Sequence, residues 1–231
     1  MATEVRSSGV TTYATRTNTT IPAPAGIEDG DDLWLSFESF ISGIQLGVTL
    51  PSGFALIDGT DFPHEINPAG GDTMALRIAH KVASGEAGDY TLTHGSMTTQ
   101  GCILCVSGGD NAVPAYTIQP GGGATVTALS ITPVADNSLV IFVGAHYDGI
   151  TTTTPPAGTT PTFTEYLDGV IMYVAAGVLT PAGATGDKAV TADGAGGANP
   201  DDWHASLSVI ETAPAGAGAI AHLVTTGGWV F

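Results

Sequence analysis

The chain has 231 residues, of which 43% are hydrophobic and 12% are charged, and it contains 32 glycines and 14 prolines. This composition supplies a large buried core and favours many short strands joined by turns. Five Lys and Arg residues against 22 Asp and Glu residues give a formal net charge of −17, which disfavours nucleic acid, anionic lipid and phosphate groups as partners.

The sequence also carries no membrane or export signal that we recognise. No run approaches the roughly 18 apolar residues of a membrane helix. Residues 1–10 lack a basic region followed by an apolar stretch, so we expect no secretory signal. We therefore predict a protein made in the cytoplasm that contacts neither nucleic acid nor membrane.

The first half of the chain alternates turn signals with apolar runs of strand length. Within 33–40, Leu33, Leu35 and Phe37 fall on one face and Trp34 on the other. The run 101–106 is wholly apolar, which is typical of a central strand. The pattern predicts one edge strand within residues 1–20, and further strands at 33–40, 48–50, 54–57, 74–82, 89–94 and 101–106.

The second half shows the same alternation after a long Gly/Asp/Pro connection at 108–123. The run 139–146 is again apolar throughout and predicts a second central strand. Residues 151–161 are a Thr/Pro/Gly-rich loop. The predicted strands are 124–131, 139–146, 163–167, 170–174, 188–191 and 203–210.

The two halves resemble each other in the order of their elements. Residues 31–37 match 137–143, residues 74–82 match 171–178, and residues 101–106 match 203–209. The alternative is that Gly/Thr-rich β-proteins repeat themselves loosely. We predict an all-β protein, an antiparallel two-sheet sandwich that is jelly-roll-like and built from two loosely duplicated halves. Residues 1–211 form this domain, and residues 212–231 form a C-terminal linker and apolar tip.

Four sequence motifs, taken in order, resemble a family of β-sandwich structural proteins of tailed bacteriophages. They are Pro24-Ala25-Gly26 with Asp29-Gly30-Asp31 and Leu33, then Pro51-Ser52-Gly53-Phe54, then Ile78 to Gly85 with Tyr90-Thr91, then Asp136-Asn137-Ser138-Leu139-Val140. Phe54 stands where that family usually has Trp. The resemblance covers residues 21–211 and implies a jelly-roll-like sandwich in a virion, on the capsid, the tail or a fibre.

Three groups of residues have metal or redox chemistry as an alternative. Cys102 and Cys105 have a Cys-x-x-Cys spacing, but within a strand they point to opposite faces, which predicts two buried reduced thiols. The six histidines lack metal-like spacing, although His80, His146 and His204 lie in predicted strands and could converge on a metal. The acidic turns at 28–32 and 200–202 could hold calcium, but solvated turns are the simpler interpretation.

No motif marks a catalytic site. A carboxylate pair could serve a glycosidase, yet nothing places one pair in a cleft. The nucleophile-elbow, zinc-protease and phosphate-loop motifs are all missing from the sequence. We therefore predict a non-enzymatic protein without a cofactor.

The C-terminal segment differs in composition from the rest of the chain. After Glu211 an Ala/Gly/Pro linker leads to an apolar tip, which is either a closing strand of the sandwich or an arm that binds a neighbouring subunit. The residues predicted to bind a partner are Leu223, Val224, Trp229, Val230 and Phe231.

The leading functional hypothesis is a structural protein on the exterior of a bacteriophage virion. Capsid decoration or cementing comes first, and a tail or fibre subunit second. The expected partners are other virion proteins, such as the major capsid or tail proteins, and further copies of the chain in a homo-oligomer. The alternative is a lectin-like module that binds a host-surface glycan through exposed aromatics, with Trp34, Tyr147-Asp148 and Trp203 as candidates.

Overall fold

A computed structural model describes residues 2–42, 47–57, 65–66, 72–123, 125–146, 156, 161–168, 171–191 and 203–214. These residues form strands and connections, with no helix among them. The strands are β1 (Glu4–Val10), β2 (Ala14–Ile21), β3 (Asp32–Ser42), β4 (Ala55–Leu56), β5 (Glu65–Ile66), β6 (Asp72–Val82), β7 (Tyr90–Ser107), β8 (Ala115–Gly121), β9 (Thr125–Ala128), β10 (Ser138–His146), β11 (Thr164–Asp168), β12 (Met172–Leu179), β13 (Lys188–Thr191) and β14 (Trp203–Ile210).

The strands form two large antiparallel sheets and one small one. The first sheet has the order β1-β7-β3-β6-β4, with β2 also paired to β7 and β5 to β6. The second sheet has the order β11-β12-β10-β14-β8, and β13 and β9 form a two-stranded sheet. Each large sheet takes its strands from one half of the chain. The all-β sandwich predicted from the sequence is confirmed.

Three apolar layers hold the sheets together. The inner core lies between the large sheets and joins Trp34, Ile78 and Leu104 of the first sheet to Ile141, Val174 and Ile210 of the second. The first outer core lies on the far side of the first sheet, and the second outer core on the far side of the second sheet. Both large sheets are therefore buried on both faces, which explains the uninterrupted apolar runs in their central strands.

The predicted alternation in β3 is confirmed by these layers. Leu33, Leu35 and Phe37 pack in the first outer core, whereas Trp34 packs in the inner core. All four side chains are fully buried. The period of two in the sequence therefore reports the two faces of the strand correctly.

The internal duplication is visible in the order of the central strands. The first sheet has β3 between β6 and β7, and the second has β10 between β12 and β14. The side-chain faces do not follow the sequence match, because Leu33 lies in the first outer core and Leu139 lies in the inner core. The two halves thus share the order of their strands. The residues that face the inner core, however, are shifted by one position relative to the sequence match.

Several predicted boundaries are wrong, and the predicted strand 48–50 is only an isolated bridge between Thr49 and Thr93. Residues 89–94 and 101–106, predicted as strands on either side of a turn, belong to the single 18-residue strand β7. Its register against β2 passes from Asn18↔Thr93 to Arg16↔Met97, so the intervening polar residues form a bulge instead of a turn.

The predicted connection 108–123 contains strand β8. Pro120 and Gly121 read as turn residues, but β8 is an edge strand, where a missing N–H is tolerated. Gly121 pairs with Trp203, and a side chain at Gly121 would overlap the indole ring. The N-terminal edge likewise contains two strands, β1 and β2, instead of one.

Residues just beyond the predicted domain boundary at 211 still contact the sandwich. The hydroxyl oxygens of Thr212 and Thr3 lie 2.7 Å apart, and the Thr212 hydroxyl also donates to the Asn137 carbonyl. The Ala213 N–H donates to the Gly108 carbonyl at 3.0 Å. Residues 212–213 therefore contact segments next to both large sheets at this end.

Candidate functional site

The first three of the four motifs meet at one corner of the first sheet, around Lys81. The Lys81 ammonium lies 2.7 Å from a Glu86 carboxylate oxygen and donates to the Ser52 carbonyl at 3.2 Å. It also lies 5.9 Å from the ring centroids of Phe54 and Tyr90. The Tyr90 hydroxyl donates to Glu86 at 2.9 Å. We call this group of five residues the Lys81 corner.

Two further hydrogen bonds attach the first motif to the same corner. Asp29 accepts a hydrogen bond from the Gly85 N–H at 2.7 Å, across a sequence separation of 56 residues. Asp89 accepts one from the Ala23 N–H at 3.1 Å. Segments that are separate in the sequence are therefore joined by side-chain to backbone bonds, the type of contact that fixes turns.

An open cleft of about 250 Å³ adjoins the Lys81 corner. Gly53 turns the chain at its edge with a φ of 84°, in the left-handed region that favours glycine. The residues that line the cleft are Pro51, Ser52, Lys81, Glu86, Ala87, Asp89, Tyr90 and Thr91. The cleft is polar, and its cation and one of its carboxylates are already paired with each other.

Two ionisable groups of the cleft, Glu86 and Tyr90, have pKa values that are shifted away from neutrality. Burial opposes the charged form of Glu86, but hydrogen bonds from Lys81, the Ser84 N–H and Tyr90 outweigh it and lower the Glu86 pKa. Burial, and then the hydrogen bond to Glu86, raise the Tyr90 pKa. Neither group is set for proton transfer near pH 7, because both pKa values move away from it.

The acidic turn at 28–32 uses its carboxylates as hydrogen-bond acceptors. Asp31 lies 3.3 Å from the Arg6 guanidinium and accepts a hydrogen bond from the Cys105 thiol at 3.3 Å. Glu28 lies 3.0 Å from the same guanidinium. No group of three His, Cys, Asp or Glu side chains suited to a metal occurs in the described part of the chain. Residues 200–202 lie outside it.

Asp32 and His80 form a buried pair at the N-terminal end of β3. The Asp32 carboxylate and His80 Nε2 are 2.6 Å apart, with the Asp32 side chain fully buried and His80 7% exposed. Burial raises the pKa of Asp32, and the hydrogen bond with His80 opposes that shift. The pair links β3 to β6 inside the sandwich.

The three strand histidines do not converge. His80 lies near the C-terminal end of β6. His204 is paired in register with Ala145, which packs against Met74 near the other end of β6. His146 is the next residue along β10, so its side chain points to the opposite face from that of Ala145. The three-histidine metal site is therefore not formed; His64 and His222 lie outside the described residues.

The two cysteines lie as predicted. Cys102 packs in the inner core and Cys105 in the first outer core, and both are free thiols. Burial raises the pKa of both, to about 12 for Cys105, where the Asp31 carboxylate adds to the effect. Neither thiol has the lowered pKa of a reactive cysteine.

The aromatic residues proposed for glycan binding are mostly buried. Trp34 is fully buried in the inner core, and Trp203 is 6% exposed in the second outer core. The expectation that they are exposed is wrong, because the second large sheet covers Trp34 and the small β9–β13 sheet covers Trp203. Tyr147 and Asp148 lie outside the described residues.

Sequence reasoning missed the buried charges of the first sheet. Glu38 lies two positions from Ser36 and four from Trp34, on the inner face of β3, and is fully buried. Arg77, 1% exposed, donates to the Ser39 hydroxyl at 2.8 Å. The sequence did contain a signal for the burial of Glu38. An even spacing puts Glu38 on the same face as Trp34, in a strand with apolar residues on both faces.

The five tip residues predicted to bind a partner, Leu223, Val224, Trp229, Val230 and Phe231, lie outside the described residues. No helix in the described ranges is long and apolar enough to cross a membrane. Comparison of the chain with models of protein families, with curated proteins and with solved structures finds no match.

Proposed function

We propose that the chain is a non-enzymatic structural protein on the exterior of a bacteriophage virion. Capsid decoration or cementing is the first choice of place, and a tail or fibre subunit is the second. The partners are other virion proteins and further copies of the chain.

The observation that carries the proposal is the convergence of three of the four phage-like motifs at the Lys81 corner; the fourth, 136–140, lies at the start of β10 in the second sheet. Asp29 bonds to Gly85, and Lys81 joins Ser52 to Glu86. Residues spaced like those of the phage family thus act together as one structural unit that sets the turns of a sandwich. This supports a resemblance of architecture, in which the motifs are needed for folding and not for a reaction.

The surface charge supports an external position. A formal net charge of −17 repels packaged nucleic acid, and the repulsion reaches about 8 Å at physiological salt. A chain of this kind is better placed on the outer surface of a particle than against its genome.

Counting copies in purified particles tests the proposal. Quantitative mass spectrometry should detect the chain in particles of the virus that encodes it. Hundreds of copies per particle would indicate capsid decoration, and a handful would indicate the tail or a fibre. Absence from purified particles, with the chain abundant in the infected cell, would refute the proposal.

A truncation tests the role of the C-terminal tip within the same proposal. Deleting residues 216–231 should leave the sandwich folded, because the described strands end at Ile210, and Thr212 and Ala213, which also contact the sandwich, are retained. The truncated chain should lose attachment to particles if the tip is an arm. If it fails to fold, with loss of the β-sheet circular dichroism signal, the tip is a closing strand instead.

A further inference from the structure

Each large sheet has more than one strand that pairs on one side only among the described residues. In the first sheet one such strand is β2, which lies beside β1 along β7 and pairs only with β7. In the second sheet it is β11, which pairs only with β12. A free edge presents unpaired N–H and C=O groups that can bond to another strand.

Strand β2 carries an unusual cation for so acidic a chain. Arg16 is the one Lys or Arg that is neither buried nor ion-paired with a carboxylate in the described ranges. Its guanidinium donates to the Thr12 carbonyl at 2.6 Å. Guanidinium has five N–H donors, so this bond leaves others for a carboxylate. The remaining cations, buried or paired, are Arg6, Arg77, Lys81 and Lys188.

Strand β11 carries the opposite charge at its exposed end. Glu165 is exposed and makes no ion pair with the described residues. It precedes the register shift between Glu165 and Leu167, so Thr164 and Glu165 keep regular strand pairing with β12. The two free edges are therefore complementary in charge.

The faces of the two side chains are also compatible. Arg16 is in register with Met97, which packs in the first outer core, so both side chains point away from the second sheet. Glu165 is in register with Ala175, which packs in the second outer core, away from the first sheet. If β2 of one copy joined β11 of another with the outer cores on the same side, Arg16 and Glu165 would share a face.

We propose that two copies of this chain associate by pairing β2 of one copy with β11 of the other, with Arg16 against Glu165. The first sheet of one copy then continues into the second sheet of its neighbour. General repulsion between two acidic chains is screened beyond about 8 Å at physiological salt, whereas the contact between strands is not. This inference rests on the assembly that the proposed function requires, and it names the surface.

A charge-reversal cycle on the purified full-length chain tests the pairing. Sedimentation equilibrium at physiological salt should show self-association of the wild type. Arg16→Glu and Glu165→Arg should each weaken it by roughly tenfold, because a cross-strand pair of opposite charges becomes one of like charges. The double variant Arg16→Glu/Glu165→Arg should restore it. A closed dimer indicates that both edge contacts form between two copies, and larger species indicate head-to-tail assembly.

A control separates the contact from the change in net charge. Val113 is 68% exposed on the connection before β8, which forms the other edge of the second sheet. Val113→Arg and Val113→Glu should leave association unchanged, and all variants should keep the wild-type circular dichroism spectrum and melting temperature.

Four results would overturn the proposal. They are a wild type that stays monomeric up to its solubility limit, single reversals without effect, a double variant that is not restored, and Val113 variants that weaken association equally. The particle count tests the virion proposal separately, so a chain that is abundant in particles but monomeric in solution would refute the edge pairing alone.

Discussion

Glu38 provides the sharpest prediction about stability, because its carboxyl group is fully buried inside the sandwich. Burial raises its pKa from 4.5 to about 8, against the opposing influence of the Arg77 charge and of the Ala75 and Ser39 N–H groups. The folded protein therefore holds this carboxyl in its neutral form at pH 7, whereas the unfolded chain ionises it.

The sign of the pH dependence follows from the raised pKa. Above pH 4.5 the unfolded state loses a proton that the folded state keeps, so rising pH favours unfolding until the folded pKa of about 8 is passed. Between about pH 5 and pH 9 this group should lower the free energy of unfolding by about 4 kcal/mol. The total free energy of unfolding of a domain is typically about 5–15 kcal/mol, so this single group would account for a large share of it.

Glu38→Gln removes the ionisation and keeps the shape of the side chain. Its free energy of unfolding should be close to that of the wild type near pH 5 and higher by several kcal/mol near pH 9. Urea unfolding, monitored by tryptophan fluorescence at a series of pH values, measures the free energy of unfolding of the variant and of the wild type. The matched control is Glu4→Gln, since Glu4 is exposed and the substitution should leave the pH dependence parallel to that of the wild type. Parallel curves for Glu38→Gln and the wild type would refute the reasoning.

Three further outcomes are expected. Gly109→Ala should destabilise the fold by about 1–3 kcal/mol, because a methyl group there would overlap the Asp32 carboxylate and Ile210, whereas Gly47→Ala, with open space around it, should have a much smaller effect in the same urea assay. Trp203→Ala should cost about 3–5 kcal/mol in urea unfolding, and a loss below about 1 kcal/mol would contradict the buried position of the indole. The melting temperature measured by circular dichroism should be the same with and without EDTA, and a fall of several degrees in EDTA would indicate a bound metal.

The fold class and most strands could be predicted because they depend on local patterns. Alternation assigned Leu33 and Trp34 to opposite faces, and the apolar runs identified β10 and the C-terminal part of β7 as central strands. The prediction failed at β8, where Pro120 and Gly121 carry turn signals that an edge strand tolerates. It also failed between 94 and 101, where polar residues form a bulge against β2.

The candidate site was only partly accessible from the sequence. The Pro/Gly/Asp motifs were recognised as turns, but their meeting at Lys81 depends on contacts between residues as far apart as Asp29 and Gly85. The exposure expected for Trp34 and Trp203 was wrong for a related reason. A strand pattern shows which residues share a face, but not whether another layer covers that face.

What the sequence by itself determined is therefore the set of properties with short range: the period of two, the positions of most turns, the opposite faces of Cys102 and Cys105, and the acidic net charge. What the tertiary structure decided is which polar groups are removed from water and which strand edges stay open. The burial of Glu38, and the edges of β2 and β11 that have no partner among the described residues, arise from how the sheets stack and in which order the strands pair. Those properties depend on contacts between distant residues, and no window of neighbouring residues contains them.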